Sequence, residues 1–501
     1  MKSSVLRRQS ILLIVAAIVA GSVAGAGISA AAPVGLDRFT HQRPDWQPCN
    51  DDVLDKAGAL CADVAVPLNY AEPQGRTITI AISRAPAADS AHRRGIMLSN
   101  PGGPGAFGLD FTVQLSQGVP TSAWRDYDLI GMDPRGMGRS TPVHCGWPVG
   151  DWAQSPGLDL AGFGKSVVTE ADLAARCLSA DDGTLPYTTT RNTARDMDVV
   201  RAVLGEDRLN YFGGSYGTYL GAVFGQMFPE RVDRMILDSA VDPARYTRGM
   251  FEDMGVPTEA ALDAWADWAA ARNGEYHFGT TRSEVRAMVT DLIAQAARQP
   301  IRIGGYSVDE HWLPSLLAAL DYPDGFDVLA ADVRQFADAA AGAQVQPNPK
   351  LAEDLDRLYH TQPHGVSAEG QVAVLCGDVA QPRDPIWYWH RIEASRVTQP
   401  VFGPMFNNIS PCAFWRPPVE PPTAVHNAVP AMILQSSNDA LTTYQSGLGL
   451  HRAMTASRMV TLDGVMAHGV SFFPSTCVRQ TVDAYLRSGA MPATDLTCRA
   501  D

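Results

Sequence analysis

No lysine- or arginine-rich run long enough to grip a polyanion occurs in the 501 residues, and the formal net charge is −14. A nucleic-acid partner is therefore not expected. Cysteine and histidine never cluster at metal-ligand spacing and no CxxC is present, so no metal or other cofactor is expected. No cysteine precedes Cys49, which leaves nothing for an N-terminal lipid anchor to be built on. Internal repeats and low-complexity tracts are missing too. Charged residues make up only 19% against 46% hydrophobic, the balance of an ordinary globular chain, and this excludes wholesale disorder. The acidity is read as a solubility property. The length suits one large domain with an insertion, or two domains.

What is present begins with an export pattern. Lys2, Arg7 and Arg8 form a basic start, residues 11–28 an apolar run broken by glycine, and Ser29 to Ala32 a stretch of small residues. This reads as a signal peptide over 1–31, cleaved after Ala30 or Ala31 because Pro33 would be a poor first mature residue. The rival reading is a permanent anchor, since the run is near the lower length for spanning. Cleavage is preferred, giving a secreted chain with no stable membrane association. In an exported chain the eight cysteines (49, 61, 145, 177, 376, 412, 477 and 498) imply disulfides. Pairing sequence neighbours closes four modest loops, but about a hundred pairings are open to eight cysteines.

After an irregular stretch over 33–60, strand patterns appear at 62–68 and 77–83, the second alternating with period two. Continuous apolar runs follow at 95–98, 127–132, 209–212 and 235–237. Each leads into Gly/Pro/Asp turns and helical periodicity, the mark of parallel strands buried on both faces. Helices are expected at 193–204, capped from Thr193 to Asp196, and at 219–228, ended by Pro229. From 246 to 424 the texture turns helical and loop-rich, with helices at 258–271, 283–297, 312–320 and 328–341. Strand–helix alternation resumes at 431–435 and 459–462, and a helix over 477–486 closes the chain. The expected architecture is α/β: a mostly parallel, doubly wound sheet built from 32–245 and 425–501. Residues 246–424 would form a helical cap over the strands' C-terminal edge, where ligands of open α/β sheets bind.

The strongest chemical signal is Gly213-Gly214-Ser215-Tyr216-Gly217, set between a strand and a helix. That context makes Ser215 a candidate nucleophile on a tight elbow, against the plainer reading of a structural turn. Upstream, Asn100-Pro101-Gly102-Gly103-Pro104-Gly105 follows another strand. An oxyanion needs two amide donors, and the candidates are Tyr216, next after the serine, and Gly103, with Gly102 close behind. The base should come late in the chain. His468, beyond the last strand, fits better than His426 or His451. Asp439, just past 431–435, is the candidate acid that fixes the imidazole, with Asp242 and Asp463 as rivals. In Asp133-Pro134-Arg135-Gly136-Met137-Gly138-Arg139-Ser140 a structural Arg–Asp clamp beside the oxyanion loop is preferred to a catalytic role.

These motifs, with Tyr127-Asp128-Leu129-Ile130-Gly131-Met132-Asp133 and Phe228-Pro229-Glu230-Arg231-Val232, resemble those of the secreted bacterial tripeptidyl aminopeptidases. These are relatives of the proline iminopeptidases among α/β-hydrolase serine peptidases. The resemblance extends through Leu237-Asp238 and into the Asp439 and His468 regions. It implies the α/β-hydrolase fold, the triad Ser215, His468 and Asp439, and release of short peptides from free N-termini. It also implies acidic cap residues that hold the substrate amine, for which Asp253, Asp309 and Glu310 are available. The chain departs from the family pattern at Asp439-Ala440-Leu441-Thr442-Thr443, where Asp-Pro-Val-Thr-Pro is expected, at Ala106-Phe107 in place of Gly-Ser, and in a loop before His468 that is one residue longer. A carboxylesterase or lipase with the same triad is the alternative function. A binding protein on a retired hydrolase scaffold is a third reading, which the presence of all triad residue types argues against.

Overall fold

The structure is a computed structural model that describes residues 35–119, 121–318, 325–360 and 365–501. The expected signal peptide lies outside the described residues. Among the described residues twelve strands follow in chain order: β1 (Gln47–Pro48), β2 (Leu60–Pro67), β3 (Thr77–Ala85), β4 (Ile96–Asn100), β5 (Asp128–Met132), β6 (Leu209–Gly214), β7 (Val232–Asp238), β8 (Ile301–Ile303), β9 (Tyr306–Val308), β10 (Met432–Ser436), β11 (Arg458–Asp463) and β12 (Leu496–Arg499). Ten of them form one sheet in the order β1-β2-β3-β5-β4-β6-β7-β10-β11-β12. From β5 to β12 every neighbouring pair is parallel, while β1, β2 and β3 pair antiparallel.

The apolar runs are continuous because both faces of the sheet are covered. Met97, Phe212, Ile236, Met432, Leu434 and Val460 pack on one face against Trp124, Val478 and Tyr485. Their neighbours Leu98, Tyr211, Met235, Leu237 and Ile433 pack on the other face against Met197, Leu220 and Phe224. A strand with water on one side would alternate; these cannot. Burying such side chains stabilises by about 1.5–3 kcal/mol each, and this is what holds the strands in register.

The chain leaves the sheet at Asp238 and returns at Met432, yet β7 and β10 are direct neighbours, with Ile236 opposite Met432. The intervening residues carry the β8–β9 hairpin and a second core around Leu262, Trp265, Val289, Phe336, Leu355 and Phe402. The helix expected over 258–271 begins earlier, at Arg248, and runs through Pro257 to Ala270. Proline normally stops a helix; here the helix continues through Pro257. The helix expected from Thr193 starts at Thr190 and is capped by Thr189, whose hydroxyl accepts the Asn192 amide. Helices Leu160–Ala180 and Ala368–Asp378, and the edge strands β1 and β12, were not anticipated.

The disulfides join sequence neighbours: Cys49–Cys61, Cys145–Cys177, Cys376–Cys412 and Cys477–Cys498. Among the described residues no helix is long and apolar enough to cross a membrane.

Candidate active site

β6 ends in two glycines, and the helix Tyr216–Met227 begins at the residue after Ser215. Between them Ser215 adopts φ 53° and ψ −124°, a conformation that costs a non-glycine residue about 1–3 kcal/mol. Its surroundings hold it there. The Ser215 amide donates to the Asp238 carbonyl (2.9 Å), and the amide and hydroxyl of Thr218 donate to the Ser215 carbonyl (2.9 and 2.6 Å). A Cβ on Gly213 would stand 2.3 Å from the Gly217 carbonyl oxygen, so no larger residue lets the turn close. The half-buried serine thus sits at the C-terminal edge of the sheet, against the positive end of a buried helix.

Strand order reverses between β4 and β6, which pair through Asn100 and Gly213. Crevices open at such switch points. The loop after β4 lies directly on the elbow: a Cβ on Gly102 would come within 2.7 Å of the Gly214 carbonyl oxygen and 2.8 Å of Ser215 Cβ. The Gly102 amide donates to Asn100 Oδ1 (3.1 Å). Among the described residues the amides of Gly103 and Tyr216 donate to no protein acceptor. That leaves two donors for a ligand oxygen.

Asp439 follows the end of β10 and is 2% exposed. Its Oδ1 accepts the amides of Leu441 and Thr442 (both 2.9 Å), and its Oδ2 accepts the Thr442 hydroxyl (2.8 Å). His468 Nδ1 lies 3.0 Å from Oδ2 and 3.2 Å from Oδ1. The Asp439 oxygens already accept from three donors and so face His468 Nδ1 as acceptors. The network therefore assigns the imidazole proton to Nδ1. The departure from the family pattern has a local reason: Thr443, standing where proline was expected, caps the helix Tyr444–Ala453 by accepting the Ser446 amide.

The rival residues serve structure. Asp242 accepts the Ala244 amide (2.9 Å). Asp463 ends β11 and is exposed. His451 bonds Ser457 Oγ (2.7 Å) and faces Asp495 (3.2 Å), and the exposed His426 donates its amide to Gln226. Asp133 accepts the amides of Gly108, Leu109 and Arg139 at 2.8–3.0 Å, bracing the chain just beyond the oxyanion loop. The partner of Arg135 is not Asp133 but Asp196, bound through Nε (2.7 Å) and Nη2 (2.6 Å) in a fully buried pair.

Two large cavities open at the C-terminal edge. One of about 610 Å³ is lined by Pro101, Ala106, Phe107, Trp147, Val366 and Glu369. The other, about 640 Å³, is lined by Asp242, Arg245, Asp253, Tyr444, Met466 and Asp439 itself. Their walls come from the ends of β4 and β5 and of β7 and β10, so in strand order the serine-bearing β6 lies between them. Of the three carboxylates expected at the substrate amine, Asp253 lines the second cavity, but it is bound twice by Arg245 (2.9 and 2.6 Å). Asp309 accepts the amides of His311 and Trp312. Glu310 is 7% exposed beside His311. Neither Asp309 nor Glu310 lines these two cavities.

Two buried acids near the site were not singled out from sequence. Asp238 ends β7, and Asp378 ends the helix Ala368–Asp378 and bonds Thr190 and Tyr246. A polar residue closing an apolar strand run was the available signal for Asp238; nothing in the sequence pairs Asp378 with Thr190.

A mostly parallel sheet in this order, with a strained serine at a strand–helix elbow and a histidine–aspartate pair on the loops after two later strands, defines a serine hydrolase of the α/β-hydrolase fold. A family model described as alpha/beta hydrolase fold matches residues 95–290, and one described as TAP-like protein matches 399–498. The tripeptidyl aminopeptidase of Streptomyces coelicolor is 34% identical, over 95% of this chain and 88% of the relative. Serine protease Hip1 of Mycobacterium bovis is 29% identical over 91% of each chain. Carboxylesterase B of Mycobacterium tuberculosis is 30% identical over 95% of this chain and 92% of the relative. The chain belongs to the tripeptidyl aminopeptidase-like family of α/β-hydrolase serine peptidases.

Proposed function

We propose that the protein is an exported serine exopeptidase that releases short peptides, tripeptides foremost, from free N-termini. Ser215 attacks the peptide carbonyl while His468 Nε2 takes its proton and then delivers it to the leaving amine. Asp439 holds the imidazole and stabilises its charged form. The amides of Gly103 and Tyr216 receive the oxyanion, and water releases the acyl-enzyme. The insertion over 246–424 acts as the cap. The observation that carries this reading is the hydrogen bond between His468 Nδ1 and the buried, donor-saturated Asp439. Export rests on the N-terminal pattern and agrees with four disulfides.

The test has two arms. A fluorophosphonate should label the wild type and leave Ser215→Ala unlabelled; equal labelling would sink the nucleophile. Tripeptide anilides with a free N-terminus should be cleaved far faster than their acetylated forms. Because one relative at 30% identity is named a carboxylesterase, the second reading is an esterase. Indifference to acetylation together with faster turnover of simple acyl esters would favour it.

A further inference from the structure

β7 lies between the nucleophile strand and the acid strand: Asp238 is opposite Gly214 of β6 and Leu434 of β10. Its main chain and its side chain do different things. The Asp238 carbonyl accepts the Ser215 amide at 2.9 Å. The Asp238 carboxylate, 1% exposed, accepts the amides of Val470 and Ser471, both at 2.8 Å, and the Ser471 hydroxyl. Those donors are the second and third residues after His468. The residue between is held as well: the Gly469 amide donates to Ser239 Oγ at 2.8 Å, and Ser239 Oγ in turn faces Asp238 Oδ1 at 3.2 Å. Ser239 takes φ 61°, a left-handed conformation that a residue with a Cβ adopts only where its surroundings insist.

Two facts make this more than a buried hydrogen-bond cluster. His468 sits on a loop that follows β11, two strands away from β7, so nothing in the sheet fixes its distance from Ser215. Asp439 orients the ring but binds it from the end of β10. Asp238 reaches both sides: its carbonyl accepts the amide of the serine, and its carboxylate accepts the amides just after the histidine. Burial pushes the Asp238 carboxyl above the usual carboxylate range, while the donors of Ser471 and Val470 and the nearby His468 favour its charged form.

We propose that Asp238 is the positioning residue of the active site, fixing the 468–471 loop to the strand end that holds the Ser215 elbow. This rests on the reading of Ser215 and His468 as nucleophile and base. The carboxylate supplies acceptors for three donors. An amide in its place turns one acceptor into a donor facing a donor, which pushes the loop off the strand while leaving the shape nearly unchanged.

Asp238→Asn should lower kcat on a tripeptide anilide by about 100-fold, the cost of a shift on the order of 1 Å in a reacting group, while KM stays within about twofold because the substrate walls are untouched. Fluorophosphonate labelling should slow by a similar factor. The acidic limb of the kcat/KM profile should move to lower pH, because a negative charge that favours the imidazolium has gone while Asp439 remains. Ser471→Ala removes one donor and leaves the charge in place. It should lower kcat by about tenfold with no movement of the acidic limb, and it decides the matter if Asp238→Asn fails to fold. The proposal is overturned if Asp238→Asn, or failing that Ser471→Ala, keeps kcat within about threefold of the wild type. It is overturned equally if the losses in kcat track the loss of thermal stability with the pH profile unmoved. A wild type that is not labelled at Ser215 would instead sink the underlying assignment of function, so the two failures are distinguishable.

Discussion

Thr190 donates to Asp378 twice, its amide at 2.8 Å to one carboxylate oxygen and its hydroxyl at 2.5 Å to the other. The same hydroxyl lies 2.7 Å from the phenol of Tyr216, the residue after the serine, and Tyr246 donates to Asp378 at 3.0 Å. Asp378 ends a helix of the segment inserted between β7 and β10, while Thr190 and Tyr216 open helices that pack on the sheet. The cluster is thus a buried polar joint between the insertion and the elbow.

Burial pushes the Asp378 carboxyl up to about 6, despite the hydrogen bonds from Thr190 and Tyr246 that favour its charged form. The folded state therefore holds this proton more tightly than the unfolded chain does. The stabilisation it brings is complete below the unfolded carboxylate range and is lost as pH rises through about 6, a change of about 3 kcal/mol. Asp378→Asn cannot titrate. The thermal midpoint of the wild type relative to Asp378→Asn should fall as pH is raised from about 4 to about 7. A constant difference across that range would contradict the assignment.

Asp439 receives more donors than the imidazole alone, and this makes its contribution separable. Asp439→Asn places an amide NH₂ against the Nδ1 side of His468 and disturbs the tautomer; a fall in kcat of about 10⁴-fold is expected, the scale seen when a triad acid loses its charge. Thr442→Val removes the 2.8 Å hydroxyl bond to Oδ2 and the 3.3 Å contact of the same hydroxyl with His468 Nδ1, and should cost about tenfold in kcat. The two substitutions act on one carboxylate. In the Asp439→Asn background Thr442→Val should add little, and full additivity in a double-mutant cycle would argue that Thr442 works elsewhere.

Much of this architecture was legible because two-faced burial forces a continuous apolar run, and each of the eight strands from β2 to β11 outside the insertion begins or ends within two residues of an apolar run or strand pattern in the sequence. β1 and β12 escaped notice because a two-residue edge strand and Leu496–Arg499 carry no periodicity of their own. The elbow at Ser215 and the glycine loop after β4 were readable from local chemistry, since a tight elbow needs glycines at fixed spacing. Asp238, Asp378 and Arg135 were not. Each acts through a partner tens to hundreds of residues away, and only the closed sheet brings them together. An Arg–Asp clamp was legible in 133–140, but not that the carboxylate paired with Arg135 is the distant, buried Asp196.

That buried pair yields a prediction about stability alone. Arg135 and Asp196 are 1% and 0% exposed, and Tyr70 adds a 2.7 Å bond to Asp196. Burial of Tyr70, with Asp196 beside it, holds the phenol well above its usual range, so it remains a donor. Asp196→Ala would strand a guanidinium away from water and should cost about 3–5 kcal/mol, read as a lower urea midpoint. A loss below about 1 kcal/mol would mean that water reaches Arg135 after all.

The disulfides separate stability from catalysis. Cys477–Cys498 ties the helix Thr476–Ser488 to the edge strand β12 across 21 residues, and closing a loop of that length is worth about 3 kcal/mol. Neither cysteine lies on the elbow, the oxyanion loop or the 468–471 loop. The double substitution Cys477→Ser with Cys498→Ser should therefore lower the thermal midpoint with kcat/KM unchanged. Cys376–Cys412 spans 36 residues and is worth about 4 kcal/mol by the same reasoning, but Cys376 lies two residues before Asp378 on one helix. Its double substitution should lower the midpoint and also kcat/KM, because the helix end that bonds Thr190, and through it Tyr216, is released. If both pairs changed the midpoint alone, Asp378 would hold its place without the covalent tie, and the joint would be set by hydrogen bonding and packing around Tyr216, Tyr219 and Tyr246.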